Sequence, residues 1–264
     1  MPRTFDIPVR MLSPEALLEG DLVAFLGHST VWLRVAGCHL LFDPILGPIG
    51  GVVRRRTPPP LSPESLPQPD LVLLSHAHLD HLDRGTLRAL PSGFRIICGL
   101  GAARYLEGYH LVELDWLDEV RISGVRILAL PAQHWSQRTF LDHNRALWVS
   151  YLVEVGGIRL FFGGDTGYFE GFREIGEEFG PFDLAFLPCG AYEPRRLMAP
   201  FHLNPAEAVR AADDLRARLG LPIHWGAYAL GDEPPEVPPR LFAEEAHRRG
   251  LQAEVLFPGE ILPL

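Results

Sequence analysis

An apolar run, Asp70-Leu71-Val72-Leu73-Leu74, passes directly into Ser75-His76-Ala77-His78-Leu79-Asp80-His81, and no other stretch constrains the chain as much. The run reads as a buried strand. Such a strand has no room for four further polar side chains, so His76, His78, Asp80 and His81 project from its end into a cleft. Imidazole and carboxylate together suit zinc, manganese or iron. Alternate spacing lets His76 and His78 face one ion, with Asp80 and His81 reaching a second beside it. The plain alternative, a polar loop that happens to be rich in histidine, weakens because the rest of the chain supplies further ligands.

Three more candidates follow apolar runs. His134 comes after Ile127-Leu128-Ala129-Leu130, Asp165 after Leu160-Phe161-Phe162, and His224 after Leu221-Pro222-Ile223. Singly, each has a bland reading: a satisfied core histidine, or a helix cap in Gly163-Gly164-Asp165-Thr166. Jointly, the repeated order of strand then ligand is what a cleft at one edge of a sheet requires.

The surrounding pattern is that of a layered α/β domain spanning residues 1–264. Strands are expected at Leu22–Leu26, Val31–Val35 and His39–Phe42, separated by Gly27, Ala36-Gly37 and Asp43-Pro44 and therefore antiparallel. Further strands are expected at Phe94–Cys98, Val125–Leu130, Leu147–Val155, Arg159–Phe162, Asp183–Leu187 and near Glu254–Phe257, with a hairpin turn at Gly156-Gly157. Asp83 caps a helix running to about Leu90. Asn204-Pro205-Ala206-Glu207 starts another, whose stripe Ala208, Ala212, Leu215, Leu219 is stopped by Gly220. A last helix covers Pro239–Arg249.

Composition narrows the function. A formal net charge of -9 argues against a nucleic-acid partner, since phosphate backbones need a basic surface. Three widely spaced cysteines (Cys38, Cys98, Cys189) make no disulfide framework, and a cytoplasmic setting is the simplest expectation. Arg3, Asp6, Arg10, Glu15 and Glu19 interrupt any apolar leader.

Taken with these motifs, the sequence resembles the metallo-β-lactamase superfamily, and the ordered set His-x-His-x-Asp-His, His, Asp, His carries the resemblance. It implies a four-layer αββα sandwich and a metal-dependent hydrolase. It further implies that His76, His78 and His134 bind one divalent ion, Asp80, His81 and His224 another, and that Asp165 bridges both. Such a pair acidifies a bridging water, whose hydroxide attacks, and clamps the developing oxyanion. Five histidines and two carboxylates suit zinc best, and manganese or iron accept the same set. Asp43 is the expected acceptor for a ligand histidine's outer N–H, its rival role being a plain turn former before Pro44. His28 either supports the ligands in the same way or satisfies a local turn.

Finer resemblance points to the N-acylphosphatidylethanolamine phospholipase D branch. It rests on Leu26-Gly27-His28-Ser29-Thr30, Ala132-Gln133-His134-Trp135, Gly164-Asp165-Thr166-Gly167-Tyr168, Gly190-Ala191-Tyr192-Glu193-Pro194-Arg195 and Ile223-His224-Trp225-Gly226. That branch cleaves a phosphodiester, releasing phosphatidate and an N-acylethanolamine. By this resemblance Asp80, Asp165 and His202 serve catalysis, His202 contacting the substrate phosphate or donating a proton to the leaving alkoxide. Tyr192 and Arg195 would line the same pocket. The alternatives are a lactone or ester hydrolase like ascorbate-6-phosphate lactonase, a tRNA-processing type of nuclease, and a non-catalytic metal-binding module. The substrate is thus expected to be a small-molecule or lipid phosphodiester. The loop Leu46–Pro60 adds a reading of its own: Ile45, Leu46, Ile49, Val52 and Val53 followed by Arg54-Arg55-Arg56 would suit peripheral docking on an anionic lipid surface. The plainer reading is a loop tucked on the core.

Overall fold

A computed structural model of the protein describes residues 7–264, so Arg3 and Asp6 lie outside the described residues. Tight turns build the first sheet. β1 (Leu22–Gly27), β2 (Thr30–Val35) and β3 (Cys38–Phe42) pair antiparallel in sequence order. Ala36 and Gly37 both have positive φ, 50° and 78°, the two-residue turn whose twist matches flanking strands. β4 (Leu71–Leu74), β5 (Arg95–Gly99) and β6 (Leu111–Leu114) then add in parallel, with the short helix α1 (Arg84–Ala89) crossing over between β4 and β5. Asp83 caps α1 as expected, accepting the N–H groups of Gly85 and Thr86.

The second sheet holds β7 (Glu119–Ile122), β8 (Val125–Leu130), β9 (Ser150–Val155), β10 (Ile158–Phe162), β11 (Leu184–Pro188) and β12 (Leu219–Ile223), side by side in that order. The Gly156-Gly157 hairpin joins β9 to β10. From β10 onward pairing is parallel. α2 (Gly171–Phe179), α3 (Arg195–Met198), α4 (Pro205–Asp214) and α5 (Val237–Arg249) connect and follow these strands, and β13 (Ile261–Pro263) returns to pair with β1.

Period-2 alternation decides which side chains meet. Val31, Leu33, Leu71, Leu73 and Phe42 turn inward against Ile127, Tyr151, Val153 and Phe162 of the other sheet. Phe42 and Phe162 stack across the divide at 4.7 Å between ring centroids. On the outer face of the first sheet, Trp32, Leu41, Val72 and Leu74 pack with Leu87 of α1. On the outer face of the second, Phe172, Ala208, Val209, Ala212, Phe242 and Ala246 cover β11 and β12. The order is helix, sheet, sheet, helix: the αββα sandwich.

Two sequence expectations fail. The helix from Asn204 ends at Asp214, because Arg216 adopts φ 57° and the Ala217 N–H turns back to the Ala212 carbonyl. Leu219 and Gly220 therefore open β12 instead of closing α4. Near Glu254–Phe257 there is no strand beyond a single bridge from Ala253 to Gly220. The Phe257 N–H bonds to the Glu260 carboxylate, and the final strand forms later as β13. The docking loop also differs from its membrane reading. Ile45, Leu46 and Ile49 are buried, and Arg55 turns inward to the carbonyls of Ile45 (2.7 Å) and Thr57 (3.1 Å). Of the apolar and cationic residues in that reading, Val52, Val53, Arg54 and Arg56 remain exposed. Among the described residues no helix is long and apolar enough to cross a membrane.

Candidate metal centre

Strand direction assembles the site. β4, β10, β11 and β12 run parallel within their sheets, so the residues that follow their carboxyl ends emerge on one edge of the sandwich, where open α/β sheets place ligands. His76, His78, Asp80 and His81 follow β4, Asp165 follows β10 and His224 follows β12; His134 follows β8. The turn before Asp165 presses on Ser75: a Cβ on Gly164 would lie 2.5 Å from that of Ser75, and φ is 58°, so only glycine fits. The His28 carbonyl accepts the His224 N–H at 2.7 Å, tying the end of β1 to the end of β12 and holding His224 at φ 61°.

All seven predicted ligands converge. Asp165 Oδ2 sits at the centre, 3.2 Å from His81 Nε2 and His224 Nε2, 3.9 Å from His134 Nε2 and 4.0 Å from His76 Nε2. On one side His78 Nδ1 lies 2.8 Å from His76 Nε2 and 3.2 Å from His134 Nε2. On the other, Asp80 Oδ2 lies 3.5 Å from His224 Nε2 and 3.6 Å from His81 Nε2. His28 joins this second group, with Nε2 at 3.1 Å from Asp80 Oδ2.

Outer hydrogen bonds fix which nitrogen faces inward. Ser75 Oγ donates to Asp43 Oδ2 at 2.6 Å and so accepts from His76 Nδ1 at 2.9 Å; His81 Nδ1 donates to the same Asp43 oxygen at 2.7 Å. The other Asp43 oxygen accepts the Ser75 N–H at 2.7 Å. One fully buried carboxylate thereby sets the orientation of two imidazole rings, His81 directly and His76 through Ser75. His134 Nδ1 donates to the Phe201 carbonyl at 3.0 Å.

The centre is left with buried polar atoms that have no partner: His81 Nε2, Asp165 Oδ1, both nitrogens of His224 and His202 Nδ1. Each such atom costs roughly 1–3 kcal/mol, and a divalent cation bound by imidazole and carboxylate relieves that cost. The residues fit a metal. Charge agrees. Burial opposes ionisation of Asp80 and Asp165, yet the facing histidines hold both carboxyls well below their usual range. Burial likewise opposes protonation of His224, and Asp165 nonetheless lifts it to about 9; His81 is raised by Asp165, Asp80 and Asp43. The facing carboxylates thus favour positive charge at these two rings, as they would favour a bound cation. His76 and His134, by contrast, are pushed well below their ordinary value by burial.

A cavity of about 470 Å³ opens over this floor. Leu79, Trp135, Leu197, Met198, Phe201 and Leu230 form an apolar collar, and His202 stands in its wall with Nδ1 3.9 Å from Asp165 Oδ2. Burial pushes His202 down to about 4, leaving a neutral ring. Tyr192 and Arg195 are not in this cavity. They line a separate hollow with Asn204, Glu244 and Arg248, where the Arg195 guanidinium is taken up by Glu207 and the His202 carbonyl. The collar residues escaped the sequence reading. Leu197-Met198 and Phe201 immediately precede His202 in the chain, and that apolar run was the available signal.

The profile of the beta-lactamase superfamily domain matches residues 39–225. The N-acyl-phosphatidylethanolamine-hydrolyzing phospholipase D 1 of Caenorhabditis elegans is 35% identical over 233 residues, 80% of this chain and 65% of its own, so the chain spans just under two thirds of that relative. A metal-dependent hydrolase of Deinococcus radiodurans is 33% identical over 249 residues, covering 90% of this chain and 97% of its own. In fold alone, the metallo hydrolase Igni18 of Ignicoccus hospitalis matches with a TM-score of 0.74 at 22% identity, over 92% of this chain and 97% of that one. With the family model matching most of its length and seven histidine and aspartate side chains converging at the edge of an αββα sandwich, this chain belongs to the beta-lactamase superfamily, alongside metal-dependent hydrolases.

Proposed function

We propose that the protein is a two-metal phosphodiesterase acting on N-acylated phosphatidylethanolamine or a close amphiphilic analogue. The observation that carries this reading is the cavity: a floor of histidine and carboxylate inside a collar of Leu79, Trp135, Leu197, Met198, Phe201 and Leu230. A polar phosphodiester over the floor and acyl chains along the collar would match both halves. The nematode relative named for hydrolysing N-acyl-phosphatidylethanolamine supports the choice of head group.

In this reading His76, His78 and His134 hold one cation, Asp80, His81 and His224 the other, and Asp165 serves both. Zinc suits five imidazoles best, with manganese or iron as alternatives. Bound there, the cations supply an acidified water and positive charge for the phosphoryl oxygens. The chain's own groups do the rest. Asp43 and Ser75 keep His81 and His76 with lone pairs inward. His28 donates to Asp80 and steadies it. His202 presents an N–H to a phosphoryl or leaving oxygen, and the collar excludes bulk water. The formal charge of -9 remains at odds with a nucleic-acid substrate.

The test is mass-spectrometric turnover of N-acylphosphatidylethanolamine vesicles by zinc-loaded protein, with Asp165→Asn beside it. Chelator-sensitive release of N-acylethanolamine by the wild type alone is expected. No release from protein with confirmed zinc, together with turnover of phosphorylated lactones or short soluble phosphodiesters, overturns the lipid assignment.

A further inference from the structure

The stretch Met198–Asn204 serves the site at two points. Its Phe201 carbonyl accepts the His134 Nδ1–H at 3.0 Å, and its His202 ring reaches to 3.9 Å from Asp165. Yet the stretch is irregular: α3 ends at Met198 and α4 begins at Pro205. Its shape is held by tethers on both sides of the His202 Cα. The peptide unit before it is fixed by the His202 N–H on the Met198 carbonyl, 2.9 Å. The unit after it is fixed by the Leu203 N–H on the Thr166 carbonyl, 2.9 Å, and by Arg195 Nη1 on the His202 carbonyl, 2.7 Å. With both planar units pinned, the Cα–Cβ direction is set.

Arg195 is itself anchored. Its Nη2 pairs with Glu207, whose same oxygen accepts the Asn204 N–H at 3.1 Å, while Asn204 Oδ1 accepts the Glu207 N–H at 2.9 Å. The Arg195 backbone N–H donates to Glu193 at 2.7 Å. The guanidinium therefore joins the first turn of α3 to the capping box of α4 and holds the loop between them. A planar fork reaches a carbonyl and a carboxylate at once; a lysine ammonium would satisfy one of them well.

We propose that Arg195 is a positioning residue: by locking the His202 carbonyl to Glu207, it aims the His202 ring at Asp165 and keeps the Phe201 carbonyl on His134. This rests on the reading of His134 as a cation ligand and of His202 as a group facing the substrate. It replaces the expectation that Arg195 touches the substrate.

The experiment compares Arg195→Met, Arg195→Lys and Glu207→Gln with Arg218→Met, a remote surface arginine paired to Asp183. Zinc affinity of the folded protein is read by chelator competition, and turnover is read separately. Arg195→Met should weaken zinc binding about tenfold, as loss of a ligand's outer support does, with Arg195→Lys between it and the wild type. Turnover should fall in kcat with KM little changed, and adding His202→Gln should cost less in Arg195→Met than in the wild type. Arg218→Met should change neither readout. A lower melting temperature with wild-type zinc affinity and wild-type kcat would overturn the proposal and leave Arg195 a plain structural clamp. Should Arg195→Met fail to fold, Glu207→Gln carries the same test, because glutamine still accepts the Asn204 N–H while losing the ion pair. Weakened zinc binding without turnover of any phosphodiester would uphold the positioning role and refute the substrate reading instead.

Discussion

Replacing Asp43 by Asn leaves the core volume unchanged and inverts part of a hydrogen-bond network. Asp43 accepts three hydrogen bonds, from the Ser75 N–H and Ser75 Oγ and from His81 Nδ1, at 2.6–2.7 Å, and it is fully buried. An asparagine can keep its oxygen on the Ser75 N–H only by turning its amide N–H₂ toward Ser75 Oγ and His81 Nδ1. The amide N–H₂ then meets the His81 Nδ1–H donor to donor, and Ser75 Oγ loses the carboxylate it donated to and must turn to accept instead. Each lost bond to a charged group is worth roughly 1.5–3 kcal/mol, so the metal-free protein should lose about 3–5 kcal/mol. His81 can escape the clash only by moving its proton to Nε2, the atom that faces Asp165 at 3.2 Å. That tautomer has no lone pair for a cation. Zinc affinity should therefore fall about 10- to 100-fold, chiefly at the group formed by Asp80, His81 and His224. Urea unfolding of the metal-free protein and chelator-competed zinc titration of the folded protein measure the two effects separately. Zinc affinity within twofold of the wild type would refute the claim that Asp43 sets the His81 tautomer, even if stability fell as expected.

Arg55→Ser should destabilise the fold by about 2–3 kcal/mol through loss of its carbonyl contacts, while Arg54→Ser combined with Arg56→Ser should leave the unfolding midpoint unchanged; equal losses would refute the inward placement of Arg55. Phe162→Ala removes one ring of the stacked pair between the sheets and should cost about 3–5 kcal/mol in urea unfolding, a loss under 1 kcal/mol counting against the shared core. Burial pushes the Cys98 thiol up to about 12 and Cys189 higher than its ordinary value, so at pH 8 a disulfide reagent should label only half-buried Cys38 rapidly, and all three after denaturation. Because these thiols keep their protons in the fold while the unfolded chain ionises near pH 8.5, stability should decline as pH rises from about 9 toward 12; a flat alkaline limb would contradict the sign.

The fold was legible where local chemistry and tertiary demand agree. Ala36-Gly37 and Gly156-Gly157 marked hairpins because a two-residue turn needs positive φ at both positions, and Asn204 with Glu207 marked a helix start because both halves of the capping box are in the sequence. The end of that helix was not legible. Leu219 fits the helical stripe as well as it fits a strand, and the choice falls to pairing with Leu184 of β11, a partner 35 residues away. β6, β7 and α3 span four residues each, too short for periodicity to register. In α2, Gly171 and Gly176 lower helix propensity, but a Cβ at Gly176 would lie 2.0 Å from the Asp214 carbonyl oxygen, so close helix contact demands the glycine that hides the helix.

The site divides along the same line. The seven candidate ligands were readable because each follows an apolar run in the sequence, and the shared direction of the strands those runs form then brings the seven together without further coding. Arg195 was not readable, although it stands in the run that most sharply suggested a substrate pocket. A guanidinium three residues from Tyr192 carries no sign of which way it turns, and its direction is settled by Glu207 on the next helix, twelve residues on. Sequence thus reports the groups that a strand end presents and is silent on those that a neighbouring helix recruits. The collar follows the same rule: Leu79 and Leu230 come from two separate loops and Leu197 from α3, each an ordinary exposed leucine alone, and only their meeting over Asp165 makes an apolar wall. Substrate choice in this chain is therefore written in tertiary contacts, while the chemistry beneath it is written in the primary sequence.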